Sequence, residues 1–268
     1  MTDGSMSRGE PKSTSGFDDA DAFLDSDIRL VVVSGGLQEC PYLDGQVARM
    51  PIEYPVGEIG PDDLDRLLER GYRRTGSMFY RTHCPSCREC IPTRLEAARF
   101  ETTRSFRRIL NRASRELTTQ WQSPAVDVER VRLFNRHRQV RRLSRYGDAT
   151  QGDYHEFLVA TRVPTSELAF YYEGNLIGAS IVDCGADSLN AVYTYFDPEF
   201  SRYSLGTLAV LLQIRRAIET CRRYVYLGLY VEENSHLNYK RRFRPQQRLL
   251  KGDWQWISQE PPKMQRPK

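Results

Sequence analysis

Residues 167–196 read ELAFYYEGNLIGASIVDCGADSLNAVYTYF, and their alternation decides the fold class. The pattern predicts a strand at Leu168–Tyr172, a hairpin turn at Glu173-Gly174-Asn175 and a second strand at Leu176–Asp183. A turn over Cys184–Ser188 and a third strand over Leu189–Phe196 follow, closed by Asp197-Pro198. Downstream, the apolar spacing predicts a helix from about Leu205 to Thr220, with Leu208, Leu211, Leu212, Ala217 and Ile218 available to its buried face. Tyr224–Tyr230 is apolar and aromatic, which suits a buried strand. Upstream, Pro61 opens a helix through Leu64, Leu67 and Leu68 that Gly71 stops. Ile28–Val33 reads as a β-branched strand and Tyr72–Tyr80 as extended chain. Residues 127–160 have helical spacing through Val128, Val131 and Phe134, then Phe157 and Leu158, with a loop around Gly147 and Gly152.

Composition bounds the alternatives. The chain has 268 residues, of which 40% are hydrophobic, enough to rule out wholesale disorder. No uncharged stretch reaches the ~20 apolar residues of a membrane helix. Residues 1–27 are polar and acidic, unlike a signal or transit peptide, and read as a disordered tail. A cytoplasmic location is the expectation. Residues 256–268 read as a flexible tail, and the chain between divides into segments 28–125 and 126–255.

The net charge of +4 hides an asymmetry. Residues 70–146 hold 19 Arg, no Lys and 6 acidic residues, whereas residues 1–69 carry a net charge of −10. A concentrated Arg block suits a phosphate backbone, because guanidinium pairs bidentately with phosphate; a solvated helical surface is the bland alternative. If residues 104–115 are helical, Arg104, Arg107, Arg108, Arg112 and Arg115 share a broad face.

Six cysteines are too few for a disulfide scaffold. Cys84, Cys87 and Cys90 form a C-x2-C-x2-C run, with Cys40 upstream as a fourth candidate ligand. Such thiols could converge on zinc or an iron–sulfur cluster, or remain unligated.

The strand–strand–strand–helix–strand order resembles the GNAT type of acyltransferase fold. The predicted fold is therefore α+β, GNAT-like in its C-terminal half, with a smaller Cys-containing N-terminal α/β region packed on it. The loop before the helix, Arg202-Tyr203-Ser204-Leu205-Gly206-Thr207, lacks the first glycine of the acetyl-CoA pattern, and Ser204 could instead cap the helix.

An ordered set of motifs carries a more specific likeness. These are Cys40-Pro41-Tyr42-Leu43, Gly71-Tyr72-Arg73-Arg74-Thr75-Gly76 with Tyr80, the cysteine run with Pro92 and Arg94, and Thr103-Arg104-Ser105-Phe106-Arg107-Arg108. Val192-Tyr193-Thr194-Tyr195-Phe196-Asp197-Pro198, Ser204-Leu205-Gly206-Thr207, Tyr224-Val225-Tyr226-Leu227-Gly228 and Asn238-Tyr239-Lys240 continue it. From about residue 29 to 255 the chain resembles the bacterial aminoacyl-tRNA–protein transferases, the aspartate/glutamate leucyltransferases above all, which are relatives of the eukaryotic arginyl-tRNA–protein transferases. Phe106 and Leu237 stand where that family usually has Gln and Met.

The resemblance implies transfer of an amino acid from aminoacyl-tRNA to the N-terminus of proteins beginning with Asp or Glu, marking them for N-end rule degradation. Leucine is the expected residue, with arginine the alternative. The donor ester is already activated, so the chemistry itself needs no cofactor, and positioning with oxyanion stabilisation suffices. An acidic acceptor needs a cation, for which Arg73, Arg74 and Arg94 are candidates together with Tyr80. Tyr193, Tyr195, Asp197, Tyr239 and Lys240 are the candidate catalytic residues. Arg104, Arg107, Arg108, Ser204, Leu205, Gly206, Tyr226 and Gly228 are candidates for binding the aminoacyl-tRNA. Each His (His83, His137, His155, His236) has an ordinary packing explanation. A CoA-dependent N-acetyltransferase, a peptidoglycan-type aminoacyl transferase and a non-catalytic RNA-binding or metal-sensing protein are the rival readings.

Overall fold

Four short strands open the chain: β1 (Leu30–Ser34), β2 (Leu37–Glu39), β3 (Val47–Arg49) and β4 (Ile52–Pro55). The computed structural model describes residues 28–143 and 147–257. The expected tail at 1–27 lies outside these residues. So does the expected C-terminal tail, except Trp256 and Ile257, which belong to the last strand.

Helix α1 (Pro61–Glu69) starts where its sequence directs, with Pro61 in the first turn and Asp62 and Asp63 at the positive end of the helix dipole. Leu64, Leu67 and Leu68 form its buried stripe, and Gly71 ends it at φ 83°. The extended segment 72–80 is a hairpin of β5 (Arg73–Thr75) and β6 (Met78–Tyr80). Gly76 turns it at φ 59°, where a Cβ would lie 2.6 Å from the Glu156 carbonyl oxygen. A four-stranded sheet results, in the order β1-β4-β6-β5.

Next come β7 (Ile91–Glu96), α2 (Arg104–Glu116), β8 (Leu117–Gln122), α3 (Val128–Val140) and α4 (Gln151–Tyr154). The Thr103 side chain caps α2 and the Asp127 side chain caps α3, each accepting a backbone N–H three residues on. Gly147 is in a loop, but Gly152 is inside α4, where the sequence suggested a loop. Val128 is exposed, because Arg130, Leu133, Phe134 and His137 are the residues on the buried side of α3.

The C-terminal half contains β9 (Thr165–Tyr172), β10 (Asn175–Cys184), β11 (Ser188–Phe196), α5 (Leu205–Glu219), β12 (Tyr224–Tyr230), β13 (Gln246–Leu250) and β14 (Asp253–Ile257). Eight strands make one sheet, ordered β14-β13-β7-β12-β11-β10-β9-β8. Among the described residues only β11 and β12 run parallel, the direction that requires a crossover, and α5 supplies it. The helix packs Val210, Leu211, Ile214 and Ala217 against Val182, Leu189, Val225 and Leu227, with Phe106 of α2 in the same cluster. Each Val, Leu or Ile among them contributes about 1.5–3 kcal/mol on burial. Ile218, expected on that face, is exposed instead. On the opposite face α3 and α4 bury Leu133, Phe134 and Tyr154 against Ala169, Ala179, Ile181 and Tyr195.

The fold is thus α+β around a large mixed sheet. Strands β7 and β8 belong to the N-terminal of the two expected segments, yet both lie in that sheet, so the boundary at 125/126 crosses a shared layer.

Candidate active site at the parting of two strands

Strands β11 and β12 pair only where Ser188, Leu189 and Asn190 face Tyr224, Val225 and Tyr226. Beyond that point each strand carries a bulge. On β11 it falls at Val192, opposite the Ile181/Val182 step; on β12 it falls at Leu227, opposite β7. Bulges bend strands, and here they accompany the divergence of the pair. The gap opens into a cavity of about 930 Å³ lined by Ala191–Thr194, Leu227–Leu229, the start of α5, the end of α3 and the β5–β6 hairpin. That is large for one small ligand and roomy enough for the reacting ends of two.

Charge in the cavity is one-sided. Among the described lining residues, Arg73, Arg74, Arg141 and Lys240 are cationic and none is Asp or Glu. Arg74 is neutralised by Asp183: its Nε lies 3.0 Å from both carboxylate oxygens and its Nη2 2.9 Å from Oδ1. Arg73 has no such partner within ion-pair distance among the described residues. Its Nη1 donates to Asn190 Oδ1 at 2.6 Å and its Nη2 to the Ala191 carbonyl at 3.0 Å. Asn190 Nδ2 in turn donates to Asp183 Oδ2 at 2.9 Å, so one network orients both arginines. Burial pulls the Arg73 pKa down, and a bound carboxylate would compensate for the lost solvation. Gly228, at φ 84°, lets Arg73 lie against β12; a Cβ there would be 2.8 Å from Nη2.

Lys240 enters from the short helix 238–242 and is 6% exposed. Its Nζ donates to the Leu229 carbonyl. Burial, and then Arg73, push its pKa down to about 7. Tyr42, hydrogen-bonded to Tyr80, and Tyr239 complete this end of the cavity, and burial raises the pKa of Tyr42 and of Tyr239.

Aromatic and apolar groups shape the other end. Tyr193 packs on Phe134, Phe157 and His137. His137 Nδ1 lies 3.2 Å from the Phe196 backbone nitrogen, and burial pushes the ring's pKa to about 4, so it is neutral at pH 7. Arg141 reaches the mouth, 3.4 Å from His236 Nδ1. Ser204, Gly206 and Thr207 bring the start of α5 to the cavity wall. Ser204 is left-handed (φ 52°, ψ 48°) and its side chain does not cap the helix, contrary to the capping alternative.

Of the residues expected from the sequence, Arg73, Arg74, Tyr80, Tyr193, Ser204, Gly206, Gly228, Tyr239 and Lys240 line the cavity. Others are placed elsewhere. Tyr195 is fully buried beneath Tyr154, with the two hydroxyls 2.7 Å apart. Asp197 pairs with Arg136 at 2.8 Å and accepts the Glu199 N–H at 3.0 Å. Arg94 donates to Gln247 at 2.7 Å and to the Tyr226 hydroxyl at 2.9 Å, and lies over the rings of Tyr224 and Trp254. Register sets this, since β7 pairs Arg94 with Tyr226 on one side and Gln247 on the other; Arg94 and Tyr226 are not lining residues. Leu205 is core.

Arg104, Arg107, Arg108, Arg112 and Arg115 are all exposed on α2, whose buried residues are Phe106 and Ala113. Arg112 Nη1 donates to the Arg202 carbonyl at 2.6 Å, and residues 201 and 204 beside it line the cavity. Arg112 thus touches the segment that contributes Ser201 and Ser204 to the cavity wall.

The structure gives the expected metal centre no support. Cys40 and Cys84 are packed with Ala48, Tyr42, Leu43, Met50 and Cys87. Cys90 is close enough to feel the other three, and its thiol is pushed up to about 12 by burial and by those neighbours. All are free thiols, and among the described residues no three His, Cys, Asp or Glu side chains converge as a ligand set.

Sequence reasoning missed His137, Arg141 and Phe157. For His137 the available signal was its helical spacing from Leu133 and Phe134 on the buried side of α3.

Two family profiles cover most of the chain. Residues 38–108 match "Arginine-tRNA-protein transferase, N terminus" and residues 129–250 match "Arginine-tRNA-protein transferase, C terminus". The aspartate/glutamate leucyltransferase of Chromobacterium violaceum is 35% identical over 217 residues, covering 81% of this chain and 89% of that protein. The aspartate/glutamate leucyltransferase of Alkalilimnicola ehrlichii is 36% identical over 231 residues, covering 84% of this chain and 95% of that protein. The C-terminal domain of a lysylphosphatidylglycerol synthetase from Agrobacterium fabrum has a TM-score of 0.44 at 11% identity, over 76% of this chain and 71% of that one, too distant to add weight.

Proposed function

The chain belongs to the arginine-tRNA–protein transferase family, and on that premise we propose that it transfers leucine from leucyl-tRNA to the α-amine of proteins beginning with Asp or Glu. The new N-terminal leucine marks the product for degradation by the N-end rule. The cationic cavity without a lining carboxylate among the described residues carries this reading. A donated arginine would bring a further cation into a space whose described lining offers it no Asp or Glu, a costly burial. A leucine side chain suits the apolar lining by Val140, Phe157 and Val192.

The acceptor's carboxylate binds Arg73, the buried cavity arginine left without a carboxylate partner among the described residues. Tyr193, Ser204 and Gly206 stand against the donor's 3′ end, and the α2 arginines against its phosphates, which positions the RNA without reading its sequence. The parting of a parallel pair after a three-stranded antiparallel run and a crossover helix supports a GNAT-like arrangement. Segments 28–125 and 126–255 supply the acceptor cation and the sheet opening respectively. The reaction takes place in the cytoplasm; among the described residues no helix is long and apolar enough to cross a membrane.

Incubation with charged total tRNA and Asp-, Glu- and Lys-initiated peptides, read by mass spectrometry, tests the reading. Addition of one leucine to the acidic peptides is expected. Addition of arginine, or equal rates with the Lys-initiated peptide, would overturn it.

A further inference from the structure

Arg73 and Lys240 are tied to opposite jaws of the parted strands. Arg73 Nη2 donates to the Ala191 carbonyl on β11, and Lys240 Nζ to the Leu229 carbonyl on β12. The last paired residues are Asn190 and Tyr226, so both anchors lie just past the point of divergence. Arg73 is placed to hold an acidic side chain. An N-terminal residue carries its α-amine only a few bonds from that side chain, so a carboxylate held by Arg73 brings the amine to the end of the cavity that Lys240 shares.

The choice of residue at position 240 is informative. Only five of the 39 basic residues in the chain are Lys. Arginine cannot give up its proton in a protein, whereas a buried lysine can. A lysine that is 6% exposed in a cavity is therefore a different instrument from the arginines around it.

The competing groups can be taken in turn. No carboxylate is present among the described lining residues. His137 is pushed to about 4, far too weak a base for an ammonium group. His236, at the mouth, is also lowered, by burial and by Arg141. Tyr42, Tyr193 and Tyr239 are raised by burial and stay protonated. The charged and titratable groups that act on Lys240 are Arg73, which lowers its pKa, and Cys90, which raises it.

We propose that Lys240 is the base that takes the proton from the acceptor's α-ammonium group, while Arg73 on the facing jaw holds the acceptor's carboxylate. This deepens the leucyl-transfer reading and rests on it. Neutral Lys240 accepts one proton, and the freed amine attacks the ester carbonyl of the aminoacyl-tRNA. The C–N bond forms, the C–O bond to the terminal ribose breaks, and the protonated Lys240 returns its proton to the leaving oxygen. The second proton on the new amide nitrogen passes to Lys240 and then to solvent. Ester plus ammonium thus becomes amide, ribose hydroxyl and one free proton.

Single-turnover transfer from leucyl-tRNA to a Glu-initiated peptide, measured from pH 6 to 9, tests this with wild type, Lys240→Met and Lys240→Arg. Lys240→Arg keeps the cation and removes the base; circular dichroism establishes folding of both variants. General base catalysis contributes about 10²–10⁴-fold, so a loss of about 100-fold or more is expected at pH 7 in both. The deficit should shrink above pH ~8, where the acceptor amine is already neutral in solution. A folded variant at the wild-type rate, or a deficit independent of pH, overturns the assignment. No leucine transfer by the wild type would instead overturn the underlying reading, and this inference with it.

Discussion

Arg74 and Asp183 form a closed, buried ion pair, their side chains 1% and 0% exposed, directly beside an arginine that has no such partner. Both side chains reach one network through Asn190, yet the Arg73-Arg74 doublet divides its labour, because the single carboxylate pairs with Arg74. Thr165 Oγ1 also donates to Asp183 Oδ1, at 2.9 Å, and with Asn190 completes the carboxylate's partners. Both line the cavity, but Arg74 is held by its ion pair and ties the hairpin to the central sheet, whereas Arg73 keeps its charge for a ligand.

The two arginines should therefore fail differently. Arg74→Ala leaves a buried carboxylate unpaired, which costs about 3–5 kcal/mol. A large fall in urea midpoint is expected, with little soluble protein at 37 °C. Arg73→Ala should remain folded but lose about 2–5 kcal/mol of acceptor recognition, a thirty-fold or greater fall in kcat/KM with Glu-initiated peptides. Denaturation curves and peptide kinetics on both variants check this. Equal stability of Arg74→Ala and wild type would remove the structural role given to that pair.

Gly228→Ala is a subtler probe of the same site. The added methyl needs a left-handed backbone and meets Nη2 of Arg73 at 2.8 Å. Strain of about 1–3 kcal/mol is expected at such a position. The methyl should also displace the guanidinium, so KM for acidic acceptors rises while tRNA binding is unchanged. A variant with wild-type KM would show that Arg73 does not depend on this close approach.

The elements legible in the sequence were those whose pattern is local. The three strands from Leu168 to Phe196, the crossover helix and the strand at Tyr224–Tyr230 are runs of apolar residues between turn formers, and each is found within a few residues of its expected place. Strands β7 and β13 were not legible. Ile91-Pro92-Thr93-Arg94-Leu95-Glu96 has a proline at its second position and carries two charges, and Gln246-Gln247-Arg248 is polar. Their burial depends on partners distant in the chain. Gln246 Nε2 donates to the carbonyls of Lys240 and Phe243 at 2.9 and 2.7 Å, and Arg248 lies 3.6 Å over the Tyr230 ring. The site shows the same division. Motifs pointed to Arg73 and Lys240, but the pairing of Arg74 with Asp183 and the diversion of Arg94 into an aromatic stack are long-range facts that spacing does not contain.

The α2 surface predicts a salt effect. Arg104→Ala, Arg107→Ala and Arg108→Ala combined should weaken binding of charged tRNA and flatten its dependence on salt. Each lost phosphate contact removes up to about 0.9 from the slope of log K against log salt. Arg107 already donates to the Thr102 carbonyl at 3.0 Å, so its contribution should be smaller than that of Arg104 or Arg108. Filter binding across a range of potassium chloride concentrations gives the slope. An unchanged slope would mean that these arginines only solvate the helix.

Thiol reactivity should separate the cysteines. Cys221 is exposed, whereas Cys90 is pushed up to about 12. The thiolate is the reactive form, so iodoacetamide at pH 8 should label Cys221 well before Cys90. Peptide mass spectrometry over time resolves the order, and labelling of Cys90 first would contradict the packing described for the cysteine cluster.

Lys240 should cost the protein stability at neutral pH. Folding lowers its pKa from 10.5 to about 7, so between those values the unfolded chain holds a proton that the folded chain has released. Unfolding then takes up a proton, and the contribution of Lys240 to stability rises with pH across that window. Below pH 7 both states become charged and the full penalty of burying the ammonium applies, on the order of a few kcal/mol. Lys240→Met removes the charge and keeps most of the volume. It should be more stable than wild type at pH 6.5, by a margin that narrows steadily toward pH 10. The gain in stability should accompany the loss of transfer activity, as expected where a strained polar group serves catalysis. Urea unfolding of both proteins at pH 6.5, 8 and 9.5 measures the margin. A constant difference across the three pH values would show that Lys240 does not change protonation in this window.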